Sequence, residues 1–258
     1  MPTLAIDGGE IFYEERGEGE PPALLTLGYL SNAGVYDGLV EGLARWRRVV
    51  TYDLRGTGRS TPQAEITAAR DIADLAALAE AIGPPVALVG IGDGGPRAVR
   101  AAAAHPELVS HVLATNALGR DGVEGTSSLA ASLSVAELFR EQLSTDYRSA
   151  LRSAIGGVNP QYSEDELRAR VDATAAFSPQ YATLARFDYW VGDSTLDDCR
   201  AVGPKLFEWA VGDNPFFSSE SIDRTRELCP EATAEVFDHG PITDPEMVAG
   251  RIERFIAG

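Results

Sequence analysis

The stretch VALVGIGDGGPRAV, residues 86–99, joins an apolar run of strand length to a glycine-rich turn, and an alanine-rich segment follows it. Runs like its first four residues recur on both sides: ALLTL at 23–27, RVVTY at 48–52, HVLAT at 111–115, LFEWAV at 206–211 and TAEVF at 233–237. Helical patterns lie between them. Over 70–82, Ile72, Leu75, Leu78 and Ile82 share one stripe, and Gly83 follows as a left-handed cap. In the last segment Asp244-Pro245 supplies a cap and a first-turn proline, and Val248, Ile252, Phe255 and Ile256 fall on one face. Strand runs alternating with helices are the signature of βαβ units on a mostly parallel sheet, so the expected class is α/β. The Asp7-Gly8-Gly9 turn predicts an antiparallel pair from 4–6 and 11–15 ahead of that series.

The alternation breaks between Gly119 and Trp190, where the pattern is helical throughout and Ser163 and Glu166 have the spacing of a capping box. The expected organisation is a sheet core from 1–118 and 191–258, with 119–190 inserted as a helical lid.

The chain has 258 residues, 44% of them apolar and 24% charged, enough to bury one large core and too apolar for general disorder. Asp and Glu number 39 against 22 Lys and Arg, a net charge of −17. Phosphate binding needs the opposite sign, so nucleic acid and anionic membrane are poor partners. Cys199 and Cys229 lie in no metal-ligand pattern and read as two free thiols, and no metal or cofactor is expected. The first residues lack a basic stretch followed by a long apolar one, and no segment reaches the roughly 20 apolar residues of a membrane span. A cytoplasmic location is expected.

Three stretches together resemble the α/β-hydrolase fold. RVVTYDLRGTGRS, residues 48–60, resembles the strand and loop after that fold's fourth strand. Residues 86–99 resemble its nucleophile elbow between strand and helix, and DHGPITDPE, residues 238–246, resembles the loop that carries its histidine. The resemblance implies an eight-stranded, mostly parallel sheet flanked by helices. It also implies a G-x-nucleophile-x-G turn that lifts a side chain above the sheet.

Here the elbow reads Gly90-Ile91-Gly92-Asp93-Gly94, so Gly92 occupies the nucleophile position and has nothing to attack with. Shifting the turn to make Asp93 the nucleophile would put bulky Ile91 where the turn needs a small residue. Asp93 reads instead as a polar wall of the pocket or an exposed cap of the following helix. The resemblance implies that an oxyanion hole survives, made by the backbone N–H groups of Tyr29 and Asp93, since backbone donors do not depend on a serine. It places His239 toward the pocket as the proton-transfer residue. The acid that orients such a histidine falls at Asp213 or, with the run one residue short, is replaced by Asn214.

Aromatic residues gather in the lid and the nearby loops, and most read as packing. Tyr29, Tyr189, Trp190, Asn214 and Phe216 are the candidate substrate contacts, and their concentration suits a bulky apolar small molecule. Three functions fit. The first is a cyclase, isomerase or lyase of secondary metabolism acting on a polyketide- or terpenoid-like molecule, with His239, Asp213 and Asp93 as catalytic residues. The second is a hydrolase that activates water through His239 or Asp93, and the third a pseudohydrolase that only binds a ligand or partner.

Overall fold

The computed structural model describes residues 2–62, 64–128, 131–190, 192–212 and 219–258, apart from the side chain of Trp190. Its strands are β1 (Thr3–Ile6), β2 (Gly9–Arg16), β3 (Ala23–Thr26), β4 (Val49–Tyr52), β5 (Val86–Gly90), β6 (Val109–Ala114), β7 (Leu206–Val211) and β8 (Thr233–Phe237). They form one sheet in the order β1-β2-β4-β3-β5-β6-β7-β8. β1 and β2 pair antiparallel, as do β2 and β4, and all other pairs are parallel. The expected strands all form, with β6 starting two residues early because Val109 pairs with Val86 across a register shift.

Alternate strand residues face opposite layers, as the pleat demands. Leu24, Val50, Leu88 and Val112 face one way, against Leu75, Leu78 and Ile82 of α2 (Ala68–Ile82) and Ala98 and Val99 of α3 (Gly94–Ala104). Leu25, Val89 and Leu113 face the other way, against α1 (Asp37–Leu43) and α10 (Pro245–Ala257). Burying one such side chain fully contributes about 1.5–3 kcal/mol, so this double layer of packing holds the sheet rigid under the turns at its carboxyl edge. Asp244 caps its helix as the sequence predicts, accepting from the Met247 N–H, and Gly83 ends α2 with φ +99° though its ψ of 100° lies outside the helical left-handed region. The other end of α2 is capped by Thr67, which the sequence reading did not single out and which accepts from the Arg70 N–H.

Between β6 and β7 lie α4 (Arg120–Val123), α5 (Leu133–Thr145), α6 (Tyr147–Val158), α7 (Glu164–Phe177), α8 (Gln180–Trp190) and α9 (Leu196–Val202). The segment is not helical throughout, because residues 124–127 are turns and bends. There the Thr126 hydroxyl donates to the Val123 carbonyl at 2.7 Å and the Ser127 backbone and hydroxyl both bond Glu220, competing with helical hydrogen bonding. Ser163 and Glu166 complete the capping box at the start of α7.

α8 is fastened to the core by a buried charge. Arg186, 0% exposed, donates to both Asp71 oxygens at 2.8 and 3.0 Å and to the Arg55 carbonyl at 2.8 Å. Burial alone would raise the Asp71 pKa, but Arg186 and then Arg97 outweigh it and hold the carboxyl below its ordinary value. Among the described residues no helix is long and apolar enough to cross a membrane.

Candidate active site

β5 ends at Gly90 and the chain turns sharply into α3. Gly92 at the apex has φ +65°, a left-handed conformation that glycine adopts without strain. The turn tolerates no side chain at Gly95, where a Cβ would fall on the carbonyl oxygen of Thr115. Gly92 is different, for a Cβ there would meet nothing nearer than the Gly28 Cα at 3.7 Å. Its backbone N–H donates to the Thr115 hydroxyl oxygen at 2.7 Å.

Asp93 folds back under the turn. One carboxylate oxygen accepts the Tyr29 backbone N–H at 2.8 Å and the other accepts Arg97 Nη2 at 2.6 Å. Arg97 also donates to the Thr26 hydroxyl at 2.8 Å and the Leu27 carbonyl at 3.1 Å, and Thr26 in turn bonds the Tyr52 phenol at 2.9 Å. Burial pushes the Asp93 carboxyl above its ordinary range, offset only in part by Arg97 and the Tyr29 N–H. Two expectations are thereby corrected. Asp93 is 7% exposed and makes no side-chain cap bond to α3, because its carboxylate is drawn to a cation one helical turn on. The Tyr29 N–H is no free oxyanion donor, since that same carboxylate has taken it.

Above the turn lies a cavity of about 800 Å³, within the range of small-molecule sites. Gly92, Asp93 and Tyr29 border it from the core, as does His239 from the loop after β8. His239 is exposed, and its loop is tied by the Gly240 N–H to the Thr243 hydroxyl at 3.0 Å. The lid supplies apolar walls such as Val135, Phe139, Ile155 and Phe187, and Ile91 and Ile242 add to them.

Tyr189 does not reach this cavity. Its phenol donates to Asp71 and joins the polar network that fastens α8, which corrects its expected place among the ligand contacts. Asp213, Asn214 and Phe216, with the Trp190 side chain, lie outside the described residues. Among the described residues no three His, Cys, Asp or Glu side chains converge in a way that could hold a metal ion.

Three contributors were not singled out from sequence. Arg97 had a usable signal, the i, i+4 spacing from Asp93. Thr115 had a weaker one: it directly follows Ala114, which pairs with Gly90, so the register of β5 on β6 sets it beside the apex. Arg170, on the α7 side of the cavity, sits in a helix of charged residues from which it does not stand out.

The sequence profile of the α/β-hydrolase fold matches residues 21–241. The uncharacterized hydrolase YraK of Bacillus subtilis (strain 168) is 31% identical over 153 residues, covering 57% of this chain. The match spans about half of that relative's length, 54%. A bromoperoxidase from Bacillus anthracis superposes with a TM-score of 0.81 at 21% identity, over 97% of this chain and 96% of its own. The esterase EaEST from Exiguobacterium antarcticum gives 0.84 at 18% identity, over 99% and 98%. The enol-lactonase from Burkholderia xenovorans LB400 gives 0.77 at 18% identity, over 100% of both chains. At such identities the structural likeness is one of fold.

Proposed function

Since the chain belongs to the α/β-hydrolase-fold family and carries Gly92 where that fold sets its nucleophile, we propose that it is an acid–base enzyme forming no covalent intermediate. Its substrate is a bulky apolar small molecule of polyketide or terpenoid character, and its reaction a cyclisation, isomerisation or elimination. The supporting observation is the vacant apex of the elbow, facing a largely apolar cavity that His239 also borders. Acyl transfer needs a nucleophile at that apex, whereas proton transfer needs only a base within reach of the substrate.

His239 takes the proton from carbon or oxygen and returns it, with Asp213, or Asn214 in its stead, orienting the imidazole. The Thr115 hydroxyl oxygen already accepts from the Gly92 N–H, so its own proton is directed elsewhere and serves a developing oxyanion. That donor replaces the Tyr29 N–H that Asp93 has taken. A cytoplasmic location belongs to the same proposal.

Solvent deuterium exchange at carbons next to the carbonyl of polycyclic ketone and ester probes tests it. Exchange is expected, and His239→Ala should slow it by about 10²–10⁴-fold. Undiminished exchange in that variant would overturn the assignment. Water activated by His239 is the second reading, favoured by the hydrolase names among the relatives. It requires an ¹⁸O label from solvent in the product, which an isomerase or cyclase does not introduce.

A further inference from the structure

The chain is rich in acids, and its arginines are generally matched to them. Arg47 to Glu253, Arg55 to Asp74, Arg97 to Asp93 and Arg186 to Asp71 are buried or half-buried pairs of this kind. Arg170 departs from that pattern. It is half-buried on α7, borders the large cavity, and has no carboxylate within 4.0 Å among the described residues. No side-chain hydrogen bond of its guanidinium is found among those residues either.

Its surroundings are those of a polar corner in an apolar chamber. Asn159, Gln161 and Tyr162 border the cavity on the same lid side, and Tyr36 borders it from the core. The charge of Arg170 is felt at the buried Tyr36 phenol, where it opposes the effect of burial. A cation kept partly out of water without an internal counter-ion is costly unless something pairs with it. In a chain with 39 acids to 22 bases, the lack of such a partner at this one wall marks a place left for an external anion.

We infer that the ligand of this cavity carries a carboxylate, bound by Arg170 on the lid side while the apolar body lies against Phe139, Phe187 and Val123. The planar guanidinium fork matches a carboxylate with two parallel hydrogen bonds. A dianionic phosphate would leave one charge unmatched among apolar walls, so a monoanion suits the corner better. The inference rests on the cavity being the ligand site, and not on the acid–base chemistry assigned to His239.

The test is fluorescence titration of the whole protein with a dansyl-labelled long-chain fatty acid and with its primary amide, which has the same body and no charge. The acid should bind the wild-type protein about tenfold or more tightly than the amide. Arg170→Met should bring the two affinities together without weakening the amide, and Arg170→Lys should restore part of the preference. Arg170 holds no ion pair or side-chain hydrogen bond among the described residues, so its replacement should leave the fold intact, which circular dichroism checks. Equal binding of acid and amide, or a preference that survives in Arg170→Met, would overturn the inference alone. Binding of neither probe would overturn it together with the bulky apolar substrate, while deuterium exchange would still report on His239 separately.

Discussion

At Asp93 a single carboxylate does three things: it neutralises Arg97, takes the Tyr29 N–H and braces the turn beneath Gly92. Leaving one member of a buried pair alone costs about 3–5 kcal/mol. Asp93→Asn and Arg97→Met should each lower stability to urea by that order, and the double variant by clearly less than their sum. Strict additivity would show that the two groups do not act as a pair. Gly92→Ser should fold, because the space exists, but with about 1–3 kcal/mol lost to the left-handed backbone. The glycine at the apex of the turn was legible in the sequence, since one position of a five-residue motif decides it. The fate of the next carboxylate was only half legible: Arg97 lies one helical turn on, but the Tyr29 N–H reaches it only once β3 and β5 lie side by side.

Among the elements, α8 shows how a lid helix is held by electrostatics as well as by packing. Arg186→Met should remove about 3–5 kcal/mol from its docking, read as faster amide exchange over α8 with the sheet amides unchanged. β7 carries a second buried charge with a different consequence. Glu208, 1% exposed, accepts the Ala117 N–H at 2.9 Å and the Thr225 hydroxyl, and burial raises its pKa to about 7 from 4.5. The folded protein therefore holds this proton to higher pH than the unfolded chain does. The contribution of Glu208 to stability is complete below pH 4.5 and is lost as pH rises through 7, on the order of 3 kcal/mol. Urea unfolding at pH 5 and pH 8 should show that loss in the wild-type protein relative to Glu208→Gln, and parallel curves would refute it. The element boundaries were legible where caps announce them, at Gly83, Ser163 and Asp244. The bond from Arg186 to Asp71 spans 115 positions and leaves no local trace, which is why Tyr189 beside it read as a ligand contact.

Over the whole molecule the formal charge of −17 opposes compaction even though most basic side chains are paired. Raising salt from about 10 mM to about 150 mM shortens the screening length from roughly 30 to 8 Å, so the melting temperature should rise over that interval. A fall would mean that attractive surface pairs outweigh the general repulsion. The architecture was legible at this scale because the central runs β3, β4, β5 and β7 are apolar enough to be buried on both faces, and the order of runs admits few topologies. The cavity was legible only as a collection of aromatic residues, since its walls come from segments far apart in the chain.

The grip of Asp93 on Tyr29 also bears on how such a protein changes over generations. One substitution could return serine to position 92, where a side chain has room. That serine would face a site still lacking the Tyr29 donor that acyl transfer draws on, and removing Asp93 to free it would strand Arg97 in the interior. Each change taken singly at positions 92, 93 and 97 thus either leaves that donor occupied or costs stability, and only a coordinated triple change escapes. The carboxylate acts as a ratchet at this turn: the cavity walls can diversify freely, while the residues beneath Gly92 can change only together.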